Sequence, residues 1–213
     1  MTDNIQIQGI LQSAHKYRLK PFEPVITEIL KHFHSIDKLK ELDCLELGPA
    51  NLTDMMRFLK DQAQVKSISA AGRGIIWPWT RHKNFIRENI QNTNFLEFFK
   101  NNKSRKFDLI YSRHVMEQHS INPWILLASR EYWAQFKKSS FNNFDEHYPA
   151  SPANIQSVFK RAWKSLRPGG IIISQIAKHK YSCLDDEFLK KLKPAHIEKR
   201  LLGSLSCIIS VTK

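Results

Sequence analysis

A chain of 213 residues is long enough to bury one sizeable core and leaves room for, at most, a second small domain. With 42% hydrophobic and 25% charged residues the balance is globular rather than disordered, and the longest apolar runs, such as GIIIS and CIISV, are strand-length, far short of a membrane span. The formal charge of +13 favours anionic partners, but no zinc-finger, helix-turn-helix or RNA-recognition signature accompanies it, so a solvated basic surface is the simpler reading.

Along the chain, residues 4–18 and 23–40 read as two N-terminal helices separated around Pro21 and Pro24. In the second, Val25, Ile26, Ile29, Leu30, Phe33 and Ile36 recur near a 3.6-residue period. Residues 42–47 form a first strand, and 51–62 a helix for which Asn51 is the candidate cap. A second short strand, VKSISAAG, spans 65–72. Residues 80–90 look helical, a short strand lies near 90–94, and KFDLIYS at 106–112 is a clear further strand. An aromatic-rich helix is expected at 121–137, then the one long polar loop at 137–152, then a helix at 153–166 stopped by RPGG. IIISQIA is a buried strand, and two more strands near 196–202 and 205–211 flank a turn containing Gly203 and Ser204. Strands alternating with helices predict one α/β domain with a mostly parallel, doubly wound sheet and an antiparallel C-terminal hairpin.

Cys44, Cys183 and Cys207 show no CxxC spacing, and Cys44 and Cys207 sit inside apolar runs, which suits buried free thiols of a reducing cytoplasm. The N-terminus has no basic segment leading into an apolar one, so no secretory signal is expected.

Two stretches can carry chemistry. In ELGPAN, Glu46 closes a strand and Gly48 begins a turn, after which a helix N-terminus presents free N–H groups. In FDLIYSRHVMEQHS the strand ends at Ser112, which puts Ser112, Arg113 and His114 on the same rim, and Glu117 and His119 follow in the next turn. A histidine beside a carboxylate is suited to general-base work near neutral pH.

Three pieces resemble, in order and spacing, class I S-adenosylmethionine-dependent methyltransferases, whose fold is Rossmann-like with a seven-stranded sheet. LDCLELGPAN looks like their first cofactor motif, KFDLIYSRHVMEQH resembles their FDLV-x-S-x-x-V-L-E-H segment, and VFKRAWKSLRPGGIIIS is similar to their helix, Pro-Gly-Gly and strand. The resemblance implies S-adenosyl-L-methionine as cofactor. It places Glu46 near the methionine part, Gly48, Pro49, Ala50 and Asn51 in the turn beneath it, Ala71 and Gly72 at the end of the second strand, Asn94 against the adenine, and Ser112 and Arg113 facing the methyl donor. His114, Glu117 and His119 become the candidates for proton removal.

Departures from the family pattern accompany the match. The second strand ends ISAAGRG with no acid for the ribose hydroxyls, Leu52 stands where the third glycine would fall, and Gln118 interrupts the Glu-His pair. The resemblance further implies an acceptor site capped by residues 1–40 and the loop at 137–152, with Trp77, Trp79, Phe141, Phe144, His147 and Tyr148 as aromatic walls. The expected activity is methyl transfer to oxygen or nitrogen of a small molecule, with the basic charge pointing to an anionic one, by a cytoplasmic enzyme without a membrane partner. Two alternatives fit the same residues. Methylation of RNA draws on the charge but lacks an Asn/Asp-Pro-Pro-aromatic motif after FDLIYS, and a non-catalytic binder of the same fold draws on the missing acid.

Overall fold

The computed structural model describes residues 22–48, 54–72, 90–93, 95–113, 152–177, 183–203 and 206–213. Their elements in chain order are α1 (Glu23–Phe33), α2 (Ile36–Leu39), β1 (Asp43–Leu47), α3 (Asp54–Asp61), β2 (Ser67–Gly72), β3 (Ile90–Asn92), α4 (Phe95–Asn101), β4 (Phe107–Arg113), α5 (Pro152–Ser165), β5 (Leu166–Ala177), α6 (Asp186–Lys190), β6 (His196–Leu202) and β7 (Ser206–Thr212).

The strands form one sheet in the order β3-β2-β1-β4-β5-β7-β6. Neighbours from β3 to β5 pair parallel, whereas β7 runs antiparallel to both β5 and β6. The chain builds outward from β1 to β3, returns to place β4 on the other side of β1, and builds outward again. The β1/β4 boundary is therefore the point at which strand order reverses, where open α/β sheets bind ligands.

Each face of the sheet carries an apolar layer, because alternate residues of a strand point to opposite faces. On one face Cys44, Ile68, Leu109, Ile171 and Ile208 pack against Val25, Ile26, Ile29 and Leu30 of α1 and Met55, Met56 and Leu59 of α3. On the other, Leu45, Leu47, Ile110, Ile172 and Ile209 meet Phe95, Phe98 and Phe99 of α4, Ile155, Val158 and Phe159 of α5, and Phe188 and Leu189 of α6. Burial of each such side chain contributes about 1.5–3 kcal/mol, which makes these two layers the main source of cohesion.

The helix expected over 23–40 is two helices. His34 adopts φ 62°, its N–H bonds to Leu30 O, and Ser35 then caps α2 by accepting from Lys38 N. Helix α1 runs antiparallel to β6, since Glu28 pairs with Arg200 at 2.8 Å while Lys31, one turn on, pairs with Glu198 at 2.8 Å. Its last turn reaches the start of β5, with His32 Nε2 3.0 Å from Gly169 O. This part of the expected N-terminal cap thus covers a sheet face, with its first turn directed toward the carboxyl ends of the strands.

The RPGG segment, expected to lie between helix and strand, belongs to β5 itself. Phe107 pairs with Leu166 and Leu109 with Ile171, so residues 167–170 bulge from the ladder. Gly169 adopts φ 77°, and a Cβ on Gly170 would stand 2.8 Å from Asp108 O, so both positions favour glycine for separate reasons. The bulge is closed by Lys213, whose backbone joins Gly169 N and Gly170 O at 2.7 and 3.0 Å. Below it, Arg167 donates to Asp108 at 2.6 Å and to Asp43 at 2.7 Å, tying β5 to β4 and β1. Helix α6, capped by Asp185 accepting from Phe188 N, was not foreseen.

Candidate functional site

The register brings the carboxyl ends of β2, β1, β4 and β5 together. Ala70, Glu46, Tyr111 and Ile173 form one row across the sheet, and Ala71, Leu47, Ser112 and Ser174 form the next. Beyond Leu47, Gly48 turns with φ 73° and its N–H bonds to Ala71 O at 2.8 Å. That positive φ suits glycine, and it lets the backbone turn sharply at the switch point.

Glu46 is 2% exposed, and the Tyr111 hydroxyl donates to its Oε2 at 2.8 Å. A buried carboxylate requires such partners, because desolvation without hydrogen bonds is costly. Burial, and then the adjacent Glu46 charge and hydrogen bond, push the Tyr111 phenol well above its ordinary range, so Tyr111 stays protonated and remains a donor. Next to this pair, β2 ends in Ala70, Ala71 and Gly72, the smallest side chains available.

Ser112 is fully buried on the opposite face, with its hydroxyl 2.9 Å from that of Ser174. The two hydroxyls satisfy each other within an apolar layer, so the Ser112 side chain braces β4 against β5.

Of the residues singled out from sequence, Glu46, Gly48, Ala71 and Ser112 thus lie on three adjacent strand ends. Gly72 and Arg113 are the last residues of β2 and β4, in backbone register with Asn92 and Gln175. Pro49, Ala50, Asn51, Asn94, His114, Glu117 and His119 lie outside the described residues, as do the aromatic residues from Trp77 to Tyr148 named above. Tyr111, Ser174 and Gln175 were missed. Their strand alternation was readable, but their partners depend on register between distant segments.

The cysteines Cys44, Cys183 and Cys207 are buried and joined in no disulfide, and burial pushes the Cys44 thiol up, away from reactivity.

No protein-family model matches the chain, and no curated protein matches it. Solved structures do. A precorrin-6y C5,15-methyltransferase from Geobacter metallireducens superposes with TM-score 0.51 at 10% identity, over 88% of this chain and 86% of that one. The PH0226 protein of Pyrococcus horikoshii gives 0.51 at 10% identity, over 93% and 90%. Human methyltransferase-like protein 13, solved in complex with SAH, gives 0.50 at 14% identity, over 86% and 78%. At such identities the likeness speaks for architecture, and it agrees with the strand order and the switch point: the chain has the fold of the class I S-adenosylmethionine-dependent methyltransferases.

Proposed function

We propose that the protein is an S-adenosylmethionine-dependent methyltransferase acting on oxygen or nitrogen of a small molecule. The observation that carries the reading is the switch-point cluster: Gly48 turned back onto Ala71 O, with the Glu46–Tyr111 pair one row below it. These residues fit the cofactor at its methionine end. A carboxylate accepts several hydrogen bonds, so the bond from Tyr111 is compatible with a further one from an ammonium group. The end of β2 fits the ribose less well, having no acid between Ser67 and Gly72. In this reading Asn94 and the Pro49–Asn51 turn take over the nucleoside.

When bound, the cofactor supplies a methyl group on a sulfonium sulfur. The protein's share is to hold an acceptor in line with it and to remove a proton where the acceptor carries one. His114, Glu117 and His119, which follow β4, are the candidates for that proton. We place the enzyme in the cytoplasm, in keeping with its three buried thiols; among the described residues no helix is long and apolar enough to cross a membrane.

Calorimetry with S-adenosylhomocysteine tests the reading. Binding at micromolar concentrations, weakened about tenfold or more by Glu46→Ala, is the expected result, a loss on the order of 1.4 kcal/mol. Absence of binding at millimolar ligand would overturn it. A second reading, a binding protein without turnover, draws on the missing acid of β2. Methylated product from any acceptor would remove that alternative.

A further inference from the structure

Among the described residues one buried side-chain polar atom has no hydrogen-bond partner: Oε1 of Gln175. By contrast, Glu46 is matched by Tyr111 and Ser112 by Ser174. Gln175 is 6% exposed and follows Ile171 and Ile173 by alternation, so it stands on the α1 face of β5. It pairs in register with Arg113, the last residue of β4, and with Ile208 of β7. It is thus near the carboxyl end of β5, on the ligand rim rather than deep in the sheet.

The position is two residues beyond the row that holds Glu46 and Tyr111, and two strands from β1. With ordinary strand and residue spacings, Gln175 lies about 12 Å from Glu46 at the Cα atoms. That puts it on the same rim as the proposed methionine site, displaced from it toward β5 and β7.

A carbonyl buried without a donor loses its bonds to water and gains nothing in return, whereas leucine would pack against Ile173 and Ile208 at no such cost. Local rules of this kind are broken mainly at functional sites. The geometry points to Gln175 as a binding residue for the methyl acceptor, its carbonyl accepting from an N–H or O–H of that molecule. This assignment rests on the methyl-transfer reading and narrows it. The group seated against β5 is an amine or a hydroxyl and not a carboxylate, since an ionised carboxylate has no proton to offer a carbonyl.

The test uses fluorine NMR on the full chain, with and without S-adenosylhomocysteine. The probes are 4-fluoroaniline, 4-fluorophenol and 4-fluoroanisole, which share a ring, and only the first two carry a donor. Wild-type protein is expected to bind the two donors about tenfold more tightly than the anisole, one hydrogen bond's worth of discrimination. Gln175→Leu is expected to abolish that preference while its affinity for S-adenosylhomocysteine stays unchanged. Its melting temperature should equal or exceed that of wild type, which separates lost recognition from lost folding. Equal binding of the three probes, binding of none, or a preference that survives in Gln175→Leu would overturn the assignment. If S-adenosylhomocysteine fails to bind wild type, the methyl-transfer reading falls, while a donor preference that depends on Gln175 still establishes the binding role.

Discussion

Glu46 and Tyr111 place a carboxylate against a phenol inside the protein, 65 residues apart in sequence and side by side in the sheet. Removing the phenol by Tyr111→Phe takes a donor from a buried acceptor, and at neutral pH it is expected to cost about 1–3 kcal/mol in urea unfolding. The pair also predicts an alkaline response. Because burial and the Glu46 charge raise the phenol's pKa in the folded state, its contribution is complete below the ordinary tyrosine value of about 10 and declines as pH rises beyond it. The stability gap between wild type and Tyr111→Phe should therefore narrow by up to about 1.4 kcal/mol per pH unit above pH 10. A gap that holds constant to pH 11.5 or so would contradict the described pair. Glu46, Gly48 and Ser112 were readable from their places at strand ends. The Tyr111 bond and the locked Ser112–Ser174 hydroxyls were not, because each partner is named only by register.

Among the elements, the bulged start of β5 is tied to β4 and β1 through Arg167. Burial raises the Asp43 carboxyl, yet hydrogen bonds from Ser67 and Arg167 and the charges of Arg167 and Lys66 outweigh it and leave the pKa below the usual carboxylate range. Its contribution is therefore present above the unfolded value of about 3.9 and is lost as pH falls through the lower folded value. Arg167→Ala is expected to cost about 1 kcal/mol at pH 7, discounted because the guanidinium is 38% exposed, and much less near pH 2. Urea midpoints of both proteins at the two pH values check this, and an equal loss at both would speak against the ion pairs. Hydrophobic period and Pro-Gly-Gly were enough to find α5 and the apolar run of β5. They did not show that the glycines belong to the strand, since that follows from the close approach of Asp108 O to Gly170. Nor did they reveal the break at His34, where a non-glycine residue adopts the left-handed conformation without a compositional cue. Helix α6 escaped because five residues are too few to establish a period.

At the scale of the whole molecule, charge and topology are the dominant features. A net charge of +13 repels itself, and salt screens that repulsion, the Debye length falling from about 30 Å at 0.01 M to about 10 Å at 0.1 M. Raising NaCl from about 10 to about 300 mM is therefore expected to raise the melting temperature by a few degrees. A flat or falling curve in differential scanning calorimetry would show that local ion pairs such as Arg200–Glu28 dominate instead. The alternation of helix and strand made the layered architecture legible, because both periods are written in single segments. The lateral order of the strands was not legible in the sequence, because periodicity says nothing about neighbours. That order has a consequence for biosynthesis. Strand β7 lies between β5 and β6 yet is made after both, so β6 has no place on the sheet until β7 arrives, and the isoleucine-rich flank of β5 stays open meanwhile. Nascent chains halted before residue 206 should consequently expose a sticky, unzipped border, the kind of surface that chaperones recognise and that drives aggregation in their absence.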